Sequence, residues 1–375
     1  MDNAISIDKY DNWLKGGSSA AALVMRQWLM PVEGKGAVVF PPTYAPPEGM
    51  KETEWLGYNI DRLDDGSNVC QIDSVGSQAN RMEPIFKQKP YSKLVPQVTI
   101  QAGEKKINLL DVGHRAADAI VRFSPPIKSE LEAAFQNVRN DGNAEPLAKI
   151  APTSIVFGSW DSRSTHVKLQ RVVRSVIRAF KVDVLHRSAQ YTTIAGEILY
   201  GNEVETATKG SKAELGFAHI PASGKHGGVR VRDDGEIRRD AALNLVAVRA
   251  LGTASPDDDD EIGTNTLALR RYILGLALVA FTTPQDTSLR EGCQLVPDIE
   301  RPTQWELVHH DGCRDPFELN HKIALEYAQA VAAAFGVSED KQAVFDKDSA
   351  QKELAKSPEE RKAARGRKRP DTGGR

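Results

Sequence analysis

The alternation of apolar and polar positions is most informative between Pro152 and Val184 (PTSIVFGSWDSRSTHVKLQRVVRSVIRAFKVDV). Ser154–Phe157 has the length of a buried strand, Gly158–Thr165 reads as a polar turn, and His166–Lys181 fits a helical period. On that wheel Leu169, Val172, Val173, Val176, Ile177, Ala179 and Phe180 occupy one half. Lys168, Arg171, Arg174, Arg178 and Lys181 occupy the other, with no acid among them. Five such cations repel one another, so the face needs water and salt, or a polyanion, to offset it. Taken alone, the stripe fits a solvated face and a polyanion site equally. Arg163 in the turn and Arg187 beyond the helix lengthen the positive track and tip the balance towards nucleic acid.

Elsewhere the pattern predicts a short helix over Ala20–Leu29, then a proline-rich connection from Pro31 to Pro47. Two alternating runs around Ala102–Lys106 predict a hairpin between Leu94 and Val112. A short helix in GHRAADAIVRF stops at Ser124-Pro125-Pro126, and Ile127–Val138 is a second, closed by Asn140-Asp141-Gly142-Asn143. Val182–Thr193 and Ile194–Tyr200 are strand-like. Gly201–Gly228, rich in glycine, lysine and small residues, suits an extended hairpin or loop. A strand starts at Gly228–Val231, and Arg238–Leu251 is apolar without a clear period. Thr264–Ala280 is helical and apolar nearly all round, hence central, and Gln304–His309 alternates like a strand. A last helix has Asp315-Pro316-Phe317-Glu318 as its start and Gly336 as its stop. Beyond Phe345 the chain is charged and poor in aromatics, the signature of disorder. The irregular interleaving favours an α+β fold over a doubly wound one.

Composition narrows the function classes. A chain of 375 residues with 40% hydrophobic content buries a substantial core, and a formal charge of -2 excludes a bulk polycation. Any polyanion site must come from segregated charge, which is visible in the acidic Ser255–Glu261 and the basic Arg361–Arg369. Three widely spaced cysteines, Cys70, Cys293 and Cys313, argue for a reducing, cytoplasmic setting. The N-terminus lacks the pattern of a signal peptide, and the apolar run Tyr272–Phe281 is too short to span a bilayer.

Motifs for catalysis are weak. The glycines around Lys35 and in Gly224–Gly228 match neither dinucleotide nor Walker spacing. His309-His310-Asp311-Gly312-Cys313 lacks the spacing of a metal site, Asp257–Asp260 lacks that of a calcium loop, and no cofactor is implied. What recurs instead is a guanidinium or imidazole beside a break in regular structure: Asn80-Arg81, His114-Arg115, Trp160–Arg163 and Arg238-Arg239. Such arginines fork onto phosphate oxygens, and His114 or Trp160 can stack on a base. The ordinary alternatives are ion pairs of Arg115 with Asp118 or Asp111, of Arg163 with Asp161, and of Arg239 with Asp240 or Asp233. Lys225 and His226, in the glycine-rich excursion, complete the candidate RNA-binding set with Lys168, Arg171, Arg174 and Arg178.

Four blocks also resemble a known family: Gln78–Phe86, Leu109–Ser124, Pro152–Arg163 with RVVRSVIRAF, and Gly228–Arg249. They are similar to the backbone subunit of type I-U (I-G) CRISPR surveillance complexes, of the RAMP superfamily, in order and spacing from about Gln78 to Phe335. The resemblance implies a modified RRM-like (ferredoxin-like) core over residues 1–345, with insertions at 30–60 and 201–228 and a charged, disordered tail over 346–375. It implies a non-catalytic subunit that binds crRNA, oligomerises along the spacer, and presents it for pairing with target DNA. The implied partners are copies of itself, a large subunit and a subunit capping the guide end, with no membrane. The excursion at 201–228 is then a candidate for the thumb-like hairpin of related subunits. Two other classes remain open: a metal-dependent endoribonuclease using Asp111, Asp161 or Asp233, and a protein-interaction scaffold.

Overall fold

From Val173 to Phe180 the chain alternates with a period of two. Val173, Ser175, Ile177 and Ala179 are fully enclosed, while Arg174, Arg178 and Phe180 stand on the other face. The computed structural model in which this is seen describes residues 5–51, 55, 57–254 and 262–357. Ser255–Glu261 and Arg361–Arg369, the two charge runs, lie outside the described residues.

The strands are β1 (Ala20–Pro31), β2 (Val38–Val39), β3 (Ile60–Arg62), β4 (Asn68–Asp73), β5 (Val98–Ala102), β6 (Lys105–Asn108), β7 (Ser159–Trp160), β8 (Lys168–Leu169), β9 (Val173–Tyr191), β10 (Ile220–Asn244), β11 (Ser288–Arg290), β12 (Cys293–Pro297), β13 (Gln304–His309), β14 (Arg314–Pro316) and β15 (Lys341–Val344). The helices are α1 (Asp11–Leu14), α2 (Val75–Met82), α3 (Ala119–Arg122), α4 (Ile127–Asp141), α5 (Glu145–Ile150), α6 (Thr153–Val156), α7 (Ile194–Tyr200), α8 (Ser211–Glu214), α9 (Leu245–Arg249), α10 (Thr264–Thr282), α11 (His321–Phe335) and α12 (Lys347–Ala355). The fold is α+β, built on a ten-stranded antiparallel sheet that curls into a half-barrel.

The sheet runs β11-β12-β1-β10-β9-β4-β3, and β13 pairs with the first part of β1, beside β12 on the same edge. One face is covered by helices. Leu23, Met25, Val173, Ala241 and Leu243 from the strands join α10 and α11 in the main core. α10 is buried nearly all round, as its composition predicts. Its Gly275 is where α11 crosses: a Cβ there would lie 2.8 Å from Val331 Cγ2 and 3.0 Å from Ala328 Cα. Tyr272 of α10 stacks on Phe335 of α11 with centroids 4.5 Å apart. The hairpin β5–β6, helix α4 and the Gly336 stop of α11 also stand where the sequence places them.

Six expectations are corrected. Ala20–Leu29 is a strand, because β10 and β13 flank it and cross-strand pairing outweighs the helix propensity of its alanines. Ser154–Phe157 is the one-turn helix α6, a short apolar run that periodicity cannot assign. The helix expected over His166–Lys181 is β8 followed by β9: Val172, Val173, Val176 and Ile177 are β-branched and stiff at χ1, which suits a pleated sheet. Ile194–Tyr200 is helix α7, started by Gly196 N–H donating to the Thr193 hydroxyl at 3.1 Å. The last helix begins at Asn320, whose side chain accepts from Lys322 N–H at 2.8 Å, while Arg314–Pro316 joins the sheet as β14. Of the tail expected to be disordered, Lys347–Ala355 is helix α12.

The long strands β9 and β10 run past the body of the sheet. At Lys181 (φ 56°) β9 bulges opposite a register shift between Val231 and Glu236 of β10. Beyond it the two strands continue as an arm to Tyr191 and Ile220, and α7 and α8 form its tip.

Candidate nucleic-acid interface

A basic track begins at the β7–β8 hairpin, where Trp160 lies opposite Lys168. Trp160 is 62% exposed, and Lys168 Nζ stands 5.9 Å from its ring centroid. Gly158, just before it, has φ 76°. A Cβ there would lie 2.8 Å from Arg171 Cγ and 3.0 Å from the Leu169 carbonyl, so glycine is what lets Arg171 lie against the hairpin. Desolvation, then Arg115 and Arg174, hold Arg171 below the ordinary arginine pKa. β9 carries the track onwards: Arg174 and Arg178 share a face, about 13 Å apart along a strand rising ~3.3 Å per residue. Among the described residues no ion pair engages Lys168, Arg171, Arg174 or Arg178. Lys181, the fifth cation, pairs with Asp234 at 2.8 Å.

Arg115 supports this end from behind. It is 4% exposed, with Nε 2.6 Å from Glu83 Oε2, Nη2 donating to Asn80 Oδ1 at 3.1 Å and Nη1 to the Gly158 carbonyl at 3.3 Å. Its left-handed backbone (φ 53°) is a strained conformation that those partners hold. Burial pushes the Glu83 carboxyl up to about 7, the Arg115 charge offsetting part of the effect. Arg115 thus has no free fork for a phosphate, and its partner is Glu83 rather than Asp118 or Asp111. Asn80 and His114 beside it are exposed.

The other candidate residues divide. Arg81 is held by Asp73 (3.2 Å) and the Leu289 carbonyl (2.8 Å). Arg238, opposite Arg178, is neutralised by Glu236 at 2.6 Å and Asp240 at 2.9 Å and lies over the Phe180 ring. Arg239 is 3% exposed on the covered face. Neither Asp240 nor Asp233 meets it: Nε donates to the Ser175 hydroxyl at 3.0 Å, and burial lowers its pKa to about 10. Buried behind the sheet, Arg239 is not a phosphate contact. His226 packs edge-on against Tyr58, and Lys225 lies opposite Arg187 in the arm. Arg163 lines a separate apolar cavity with Phe123 and Leu354. Asp161 is consumed by its own turn, accepting from Thr165 N–H and hydroxyl at 2.7 Å each, so it does not pair with Arg163.

The open face also holds residues that sequence reasoning missed. Arg26 and Trp28 of β1 alternate outward opposite Asp240 and Arg238, and Phe180 follows Arg178 on β9. Reading Ala20–Pro31 at a period of two would have found the first two. As to metal chemistry, Asp111 pairs with Lys87 and Asp233 is exposed in the β10 bulge. Among the described residues no group of three His, Cys, Asp or Glu side chains is placed to hold a metal ion, and no helix is long and apolar enough to cross a membrane.

The arrangement is therefore a row of free cations on a rigid sheet, with an exposed indole at one end. Residues 23–184 match the family described as CRISPR-associated protein GSU0053. That match supports a CRISPR-associated protein and suggests a role in CRISPR defence. The matched stretch is less than half of the chain, yet it runs from β1 into β9 and contains the whole track from Trp160 to Arg178. No curated protein matches the chain.

Proposed function

We propose that this chain is a non-catalytic backbone subunit of a CRISPR effector complex, binding guide RNA through its ribose-phosphate strand and repeating along the spacer. The carrying observation is the set Lys168, Arg171, Arg174 and Arg178, fixed on β8, β9 and the turn between them, with no carboxylate paired to it among the described residues. A guide has to be gripped by its backbone while its bases stay open for the target, which asks for cations rather than base-reading groups. Trp160 offers one stacking surface of the kind that bears on any base. The strand order β13-β1-β10-β9, all antiparallel, with helices joining β1 to β9 and β10 to β13, supports an RRM-like core. The β9–β10 arm supports the reading of a thumb, and the family match supports partners among other subunits of an effector complex.

The test is single-stranded RNA binding by fluorescence polarisation over a salt series. Four phosphate contacts give a slope of log affinity on log salt of about -2.8, at ~0.7 per contact. Arg174→Glu with Arg178→Glu should weaken binding at least tenfold and flatten that slope, without changing the thermal midpoint appreciably. Equal affinity of variant and parent at every salt concentration would remove the basis of the proposal. With magnesium or manganese the labelled RNA should stay intact; chelator-sensitive products would instead identify a nuclease.

A further inference from the structure

The tip of the arm turns apolar side chains into solvent. On α7, Ile194 is 74% exposed and Ile198 78%, and Leu215, just after α8, is 70% exposed. Ile194 and Ile198 lie one turn apart and form a single ridge. Polar residues cannot explain such a cluster, and large exposed apolar patches mark contact surfaces. The same chain has an apolar groove of about 610 Å³ between α3 and α12, lined by Ile120, Phe123, Phe345, Ala350 and Leu354. Arg122 and Arg163 also line it, and Arg122 Nε is buried there without a hydrogen-bond partner. A polar atom left in that state favours an occupant bringing an acceptor.

Charge is complementary as well. The tip carries Glu197, Glu203, Glu205 and Glu214 against Lys209 and Lys212, a net negative segment. The groove side adds Lys347, Lys352 and Lys356 to its two arginines, against Asp346, Asp348 and Glu353. Glu197 is on α7 itself, one residue before Ile198, and is exposed.

We propose that the α7 ridge of one copy seats in the α3–α12 groove of a second copy, with Glu197 meeting Arg122 and Arg163. An amphipathic helix in an apolar groove is a common recognition mode, with anchors spaced i and i+4. Ridge and groove are different surfaces, so every copy added leaves one of each free, and the contact propagates head to tail. This inference gives the filament reading above its contact and rests on that reading for its setting. It also reassigns Arg163 from RNA to protein.

The test uses the full chain free of RNA, in sedimentation velocity over a concentration series. The parent should grow beyond dimers. Ile194→Asp with Ile198→Asp (ridge variant) and Ala350→Asp with Leu354→Asp (groove variant) should each weaken association at least tenfold, from the apolar burial lost. Mixed together, the two variants should form a dimer and nothing larger, since one intact ridge meets one intact groove. A parent that stays monomeric, variants that assemble like the parent, or a mixture that stays monomeric would each overturn the inference. Assembly sensitive to the ridge variant alone would also overturn it, in favour of ridge-to-ridge pairing. Both variants should bind a short RNA as the parent does. Loss of RNA binding by Arg174→Glu with Arg178→Glu alongside normal assembly, or the reverse, tells the two proposals apart.

Discussion

Two arginines that sequence placed on the surface are buried, and each solves the burial of charge differently. Arg115 meets the carboxylate of Glu83, and the pair sits in the core beneath the basic track. Burial raises the Glu83 carboxyl from its ordinary 4.5 to about 7. Below about pH 4.5 folded and unfolded chains both keep that proton; between 4.5 and 7 only the folded chain does. Stability from this group therefore falls as pH rises through that window, by up to about 1.4 kcal/mol per pH unit, and is level above it. Glu83→Gln cannot lose a proton, so its unfolding free energy should lack this decline, whatever its absolute stability. Urea titrations of parent and variant at about pH 5, 6 and 7 measure the difference between the two. Parallel pH dependences would show that Glu83 stays ionised beside Arg115 throughout.

Arg239 has no carboxylate, and the reason lies in the pairing of β9 with β10. Ser175 and Ile177 face the covered side opposite Ala241 and Arg239, whereas Arg174 and Arg178 face the open side. The ladder thus separates one arginine that cannot touch RNA from two that can. A buried charge without a counter-charge carries an uncompensated desolvation cost, which an apolar side chain of similar length does not. Arg239→Met should accordingly keep RNA affinity within twofold and leave the urea midpoint unchanged or higher. A tenfold loss of affinity would mean that the covered face opens in the complex. The same ladder explains what was legible in the chain. The stretch Leu169–Phe180 fits both a helical wheel and, from Val173, a two-residue alternation, and the cations fall on one side in either case. The basic face could therefore be read while its secondary structure could not; the β-branched residues Val172, Val173, Val176 and Ile177 were the signal that separates the two. α10 was legible because it is apolar on all sides, and the stop at Gly336 because its φ of 74° favours glycine. The burial of Arg115 and Arg239 was not legible, because acids lie beside both in sequence and only the register shows that none of them is the partner.

Across the whole molecule the sheet is open in strand order yet tied shut at its far ends. β11 and β4 are separated by β12, β1, β10 and β9, but Arg290 of β11 reaches Asp73 of β4 at 3.3 Å. Arg81, just past β4 on α2, bonds the same carboxylate at 3.2 Å and the Leu289 carbonyl at 2.8 Å. Asp73 is 1% exposed and also accepts from the Ser77 hydroxyl at 2.8 Å and Gln78 Nε2 at 2.7 Å. Gln78 in turn accepts from the Ser175 hydroxyl at 2.8 Å, which links the clasp to Arg239. One carboxylate thus binds two guanidiniums directly and reaches a third, Arg239, only through Gln78 and Ser175, joining both ends of the sheet to its centre. Removing it would strand Arg81 and Arg290 without a carboxylate, and breaking a buried pair in this way costs about 3–5 kcal/mol. Asp73→Ala should therefore lose that much stability in urea unfolding, and Asp73→Asn, which keeps one acceptor oxygen at the site, should lose less. The loss should also be local in its first effect: amides of β11 and β12 should exchange faster in the alanine variant before those of β9 and β10 do, because only the former depend on the clasp to stay against α2. A cost below about 1 kcal/mol, with exchange rising evenly over the sheet, would mean that apolar packing around Cys70, Cys293 and Leu295 closes the half-barrel without the clasp.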